Sequence, residues 1–332
     1  MEKLRTYYTG LISDDWDMFS PAPYKGKGWI IDFKKTKSCK KGRTQYKGKI
    51  LENKEVTIHS HNFSSALNTL ELINCAILLC SGEPSMFEIK TIIPKDKKEL
   101  GEIYSKDAFG PPPSPKVYTS YFPLACMIAA RASHRRSYKY ALAKFGFASR
   151  LHSIFQVDID PSYSTDHLGI SPYIENHVRF ANAIIAAYSV IEEIGLEVRA
   201  SASNPSMIKG KWNPKVKDDL ERRLKKAGIK QQETWPWDLR GKPTRVEKSK
   251  QLPSKGKCKW AKGPYIRDCE LEIMDAINTA SYLRSKISSH KMNPLVSSLT
   301  SYDIENVRGL ARRLLLGVLG FWPLKKYRWL QQ

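Results

Sequence analysis

The chain is short of acid. Its 33 Asp and Glu stand against 55 Lys and Arg, leaving a formal net charge of +22. A surface with that balance attracts polyanions, most simply nucleic acid; acidic membrane lipid and an acidic protein partner are the alternatives. Cysteine is also sparse. The six cysteines (Cys39, Cys75, Cys80, Cys126, Cys258, Cys269) contain no Cys-x-x-Cys spacing. Most lie in apolar helical runs, which fits reduced thiols in a cytoplasm better than a disulfide framework or a zinc site. No stretch of 18 apolar residues appears, so nothing is expected to span a bilayer, and nucleic acid is preferred over a membrane as the partner. The segment from Met1 to Asp15 is polar and lacks a signal-peptide core. Also missing are a Walker loop, a Gly-rich dinucleotide turn and a Gly-x-Ser-x-Gly elbow. What is present is an ordinary apolar share of 41%, enough for real cores.

Proline punctuates the chain once, strongly. Pro111, Pro112, Pro113 and Pro115 can continue neither a helix nor a sheet ladder. They predict an extended linker over residues 109–117. Before it, residues 1–108 read as a small α+β domain of unknown role. Short strands are expected at Trp29–Phe33, Gln45–Leu51, Val56–His61 and Met86–Ile93. Between them, Leu67, Leu70, Ile73, Ile77 and Cys80 repeat at helical spacing over Ser64–Leu79.

After the linker, residues 118–332 read as a mainly helical bundle. Helices are expected at Tyr121–Ala132 and His134–Phe155. Another runs from the Ser171-Pro172 start to Gly195, and a fourth from Asn213-Pro214 to Gly228. The next begins near Ile266 with Cys269, Ile273, Ile277, Ala280, Leu283 and Ile287 inward. Thr300 and Asp303 resemble a capping box for the last helix. Its stripe is Ile304, Val307, Ala311, Leu314 and Val318. Residues 229–262 form a basic, polar insertion. There Trp235, Trp237, Arg240, Lys242, Arg245 and Trp260 interleave aromatics with cations, a surface suited to stacking single-stranded bases. The alternative is a loop pinned to the bundle by its tryptophans. His134-Arg135-Arg136 is a basic helix start that could contact phosphate.

Chemistry concentrates at Arg284 and His290, with five residues between them. A guanidinium can hold a phosphate, and an imidazole can move a proton near neutral pH. On a straight helix six positions turn through about 240°, so the pair would not share a face. Ser288, Ser289 and Pro294 suggest that the helix ends or bends nearby. Ser285, Ser289, Lys291 and one of Glu192 or Glu193 could support the pair. Alternatively Arg284 pairs with Glu270 or Asp275, and His290 is a solvated helix-end cation. His59-x-His61 and Asp158-x-Asp160 are weaker metal candidates, read more simply as surface and loop residues.

A basic helical bundle ending a long helix in Arg-x5-His resembles the HEPN superfamily. Those domains occur in bacterial toxins, anti-phage and abortive-infection proteins, and CRISPR-associated ribonucleases. The likeness spans roughly residues 118–320, and only Arg284 and His290 carry over as motif positions. Family members often have Asn, Asp or His directly after the arginine, where this chain has Ser285. The resemblance implies an endoribonuclease that needs no metal or cofactor, acting on RNA as a homodimer. A defence-system or antitoxin protein would be a further partner. The alternatives are a non-catalytic nucleic-acid-binding module and an interaction subunit of a defence complex.

Overall fold

The computed structural model describes residues 4–13, 23–35, 43–46, 49–82, 92–104, 121–158, 174–239, 269–288 and 299–324. The architecture is mixed α+β, and the chain divides into two compact units. The first takes Met1–Ser81, Phe87–Leu142 and Leu324–Gln332; the second takes Gly82–Met86 and Ala143–Pro323.

An antiparallel sheet with strand order β2-β3-β5-β1-β6 organises the first unit. Its strands are β1 (Arg5–Ser13), β2 (Tyr24–Gly26), β3 (Trp29–Lys35), β5 (Lys49–Ser60) and β6 (Ile93–Pro94), with β4 (Arg43–Tyr46) paired to the start of β5. Val56, Thr57, Ile58 and Ser60 of β5 are at most 1% exposed. Three helices accompany the sheet: α1 (Phe63–Ser81), α2 (Lys97–Ile103) and α3 (Phe122–Ser133). Helix α1 packs on β5 and on α3, and α3 also meets β2. By length and composition α1 could cross a membrane, yet 67% of its apolar window is buried inside the unit. That apolarity is accounted for by two packed faces.

Several expectations change here. The first unit runs on through α3 to Leu142, and the apolar faces of α1 and α3 bury each other within it. The linker itself lies outside the described residues. Gln45–Leu51 is not one strand: β4 ends at Tyr46 and β5 starts at Lys49. The central strand β1 is an addition, with a register shift between Tyr8 and Gly10 against β5. Most of Met86–Ile93 lies outside the described residues.

The second unit contains most of α4 (Arg136–Asp158), then α5 (Ile174–Glu193), α6 (Pro214–Lys226), α7 (Ile273–Tyr282) and α8 (Ser301–Leu319). Helices α5 and α8 form its central pair, and α7 lies against α8. Phe180, Ile184, Ala187 and Ile191 of α5 are buried, as are Ile304, Val307, Ala311 and Leu314 of α8. Local rules set the helix ends. Asn213 Oδ1 accepts from Lys215 N–H at 3.1 Å, and Pro214 supplies a preset first turn for α6. Thr300 and Asp303 close the expected capping box on α8. The Ser171-Pro172 start lies outside the described residues.

Two short strand pairs decorate the helices. Strands β7 (Met207–Ile208) and β8 (Lys211–Trp212) form a hairpin; β9 (Thr234–Trp237) pairs with β10 (Cys269–Glu272). The expected helix from Ile266 is therefore corrected: Cys269–Glu272 is a strand, and the helix begins at Ile273. Cys269 and Leu271 face inward while Glu270 and Glu272 face out. That period-two alternation matches strand geometry, and the partner, β9, comes from the first part of the insertion itself.

Candidate functional site

Arg284 stands where α7 stops being an α-helix. Residues Leu283–Ile287 form a π-helical turn, closed by Ser288 N–H donating to Leu283 O at 3.0 Å. Turns of this kind are rare and concentrate at functional sites. Helical geometry ends at Ser288, whose φ of −100° and ψ of 10° leave the helical region. The angular offset of a straight helix therefore does not apply to the segment after Leu283. The apolar stripe behaves as expected, with Ile273, Ile277, Ala280 and Leu283 at most 1% exposed. It anchors the helix and leaves Arg284 half exposed at the surface.

Across from the π-turn runs α5. Glu192 Oε1 lies 3.2 Å from Arg284 Nη2, with side chains 36% and 38% exposed. An ion pair that wet is worth at most about 1 kcal/mol, so an incoming phosphate can compete for the guanidinium. Glu193 points elsewhere and accepts from Lys144 Nζ at 2.7 Å. Asp275 accepts from Trp212 Nε1 at 2.8 Å, and neither it nor Glu270 is the partner of Arg284.

Arg284 and Glu192 border a cavity of about 560 Å³. Its walls carry Ser281, Ser285 and Asn278 from the α7 side, with Ser201 and Ser206 from the segment leading to β7. Tyr188 forms part of the floor, and its hydroxyl accepts from Val198 N–H at 3.3 Å. Burial pushes the Tyr188 phenol up to about 12, so it stays protonated at neutral pH. Glu197 faces the same cavity and accepts from Arg199 Nε at 2.7 Å. The arrangement offers one cation, two carboxylates and several hydroxyl donors.

Arg284, Ser285 and Glu192 of this cavity stand out in the sequence, and Tyr188, Glu197 and Asn278 do not. The signal for the α7 side was present: Asn278, Ser281, Tyr282 and Ser285 recur at helical spacing beside the apolar stripe. His290, Ser289 and Lys291 lie outside the described residues, as do Arg240, Lys242, Arg245 and Trp260.

The remaining nucleic-acid candidates scatter. Trp237 is 1% exposed and is a core residue; its indole cannot stack on a base without unfolding β9. Trp235 is half-buried, with its ring 6.3 Å from that of Trp322. Arg135 and Arg136 belong to the first unit and are exposed. Arg135 donates to the Tyr138 hydroxyl at 3.0 Å. His59 and His61 do not share a strand face, since β5 ends at Ser60; His59 Nδ1 sits 3.0 Å from Thr6 Oγ1. Asp158 is the last residue of α4, and Asp160 lies outside the described residues. Comparison of the whole chain with protein-family profiles, curated proteins and solved structures gives no match.

Proposed function

We propose that the second unit is a HEPN-like, metal-independent endoribonuclease whose cleavage centre is built from Arg284 and His290. The observation that carries this reading is Arg284 itself. It sits on a π-turn at the rim of a hydroxyl-lined cavity, held by a carboxylate that it can release. His290 follows Ser288 by two residues, at most about 7 Å of chain. In this reading the His290 imidazole takes the proton of a ribose 2′-OH. The 2′-oxygen attacks the adjacent phosphorus, and the 5′-oxygen leaves with a proton. Arg284 balances the charge that builds on the phosphorane. The products are a 2′,3′-cyclic phosphate and a 5′-OH. Glu192 orients the guanidinium between turnovers. A base and an acid are both required, so we place two copies of the motif in one cleft of a homodimer.

The test is incubation of purified protein with RNA in excess EDTA, with the cut ends analysed and the protein's size measured by light scattering. Cyclic phosphate and 5′-OH ends are expected, with a 2′-deoxy substrate left intact. Cleavage that requires added Mg2+, or that cuts DNA equally, contradicts the chemistry. A fully active monomer removes the two-fold pairing and leaves the residue assignment standing.

A further inference from the structure

We propose that the first unit binds a phosphorylated small molecule of nucleotide size. The site is the cavity between the β2–β3 turn, the first turns of α1 and the start of α4. This does not rest on the ribonuclease reading, because every residue lining the cavity belongs to the first unit.

The cavity measures about 470 Å³, within the range of small-molecule sites. Its charge is one-sided. Lys27, Arg136 and Lys139 line it beside the imidazoles of His61 and His134, and among the described lining residues none is Asp or Glu. In a chain with 33 acids, a wall without one selects for an anion. Arg136 opens α4, so the positive end of a 23-residue helix adds to the same field. The guanidinium of Arg136 rests over the Tyr140 ring at 5.5 Å, which holds it at the mouth.

The wall is built, not accidental. Lys27 N–H donates to Ser133 Oγ at 2.8 Å, and Ser133 Oγ donates to Ala130 O at 2.7 Å. These bonds fix the β2–β3 turn against the end of α3. Gly28 turns there with φ +82°, and a side chain at Gly26 would overlap the Trp29 ring at 2.0 Å. Both glycines are thus required by the shape of the rim. Inside, Ser60 is 0% exposed, and its Oγ has no hydrogen-bond partner. A buried hydroxyl left unsatisfied on a cavity wall is a donor waiting for an acceptor. Asn68 of α1 adds an amide beside it. Trp29, Leu72 and Tyr140 supply an apolar side. A lone phosphate would fill only a corner. A planar group joined to a phosphate matches both sides.

The experiment is calorimetric titration of the full chain at moderate salt with ATP, adenosine, inorganic phosphate and a 5′-phosphorylated RNA oligonucleotide. One saturable ATP site is expected, with no adenosine binding and with phosphate at least about tenfold weaker. Losing a charge-assisted hydrogen bond costs about tenfold or more, so Arg136→Glu and Lys139→Glu should each weaken ATP by that factor. Both side chains are exposed, and the variants should fold normally. Ser60→Ala should weaken ATP while leaving the melting temperature unchanged or raised, which a purely structural serine would not do. Lys226→Glu, an exposed cation of the second unit, should bind ATP as the parent does. The proposal is overturned by absence of saturable ATP binding, by an equal loss in Lys226→Glu, or by adenosine binding as well as ATP. It is also overturned if the RNA oligonucleotide displaces ATP at lower concentration than ATP itself, which would make the cavity part of a nucleic-acid surface.

Discussion

His152 shows how one buried side chain ties stability to pH. It is 2% exposed on α4, and its Nδ1 has no hydrogen-bond partner. Glu305 Oε1 lies 3.8 Å from Nε2, too far for a hydrogen bond, and its own side chain is 41% exposed. Burial therefore decides, aided by the Arg308 guanidinium, and the imidazole is pushed down to about 4. In the unfolded chain it titrates near 6.5. The contribution is complete above that value and is lost as pH falls through 6.5 towards 4, on the order of 3 kcal/mol in all. Urea denaturation at pH 7 and pH 5 checks this. His152→Gln should flatten the difference; an unchanged pH slope would show that other groups set it. No sequence pattern marked His152, because a lone histidine on a helix carries no sign of what covers it. Arg284 was legible for the opposite reason: it stands with five residues between it and His290, beside the apolar stripe of a helix whose other positions are settled by periodicity. Its partner was legible only as a choice between Glu192 and Glu193, since both come from a helix distant in sequence and periodicity cannot decide which one faces Arg284.

Elements that bury one face of a helix were readable, and those that depend on distant pairing were not. Helices α1, α3, α6 and α8 begin and end close to their sequence signals, among them Pro214 and the Thr300 box. Strand β10 reads as helix in the sequence because Cys269 and Ile273 also fit a four-residue spacing. Its true partner, β9, lies 32 residues away at the Cys269–Trp237 pair, where local periodicity has no reach. The same pairing turns Trp237 from a stacking candidate into a core residue. Trp237→Ala should cost about 3–5 kcal/mol in denaturation, as removal of a buried aromatic does. A variant as stable as the parent, but weaker on RNA, would return that indole to the surface. Trp235, packed beside Trp322, is the residue of this pair whose half-exposed ring can still meet a base.

At the scale of the molecule, charge and burial separate two roles. The +22 balance predicts association with single-stranded RNA that weakens steeply with salt. Each neutralised phosphate contributes a slope of about −0.7 in log K against log salt. Fluorescence anisotropy between low and moderate salt measures it, and a flat response would remove nucleic acid as the partner. Burial sets the limits of any dimer. Leu315 is 0% exposed and Phe321 is 6% exposed, so neither presents apolar surface to a second copy. The apolar residues of that stretch are spent inside the second unit.

The central claim, that Arg284 and His290 cut RNA, is tested most directly by single-turnover cleavage with three variants. Arg284→Ala and His290→Ala should each slow cleavage by about 10² to 10⁴ while changing stability by no more than about 1 kcal/mol. Glu192→Gln, which keeps the shape but not the charge of the partner, should fall between them and the parent. Parental rates from folded Arg284→Ala and His290→Ala proteins would contradict the assignment.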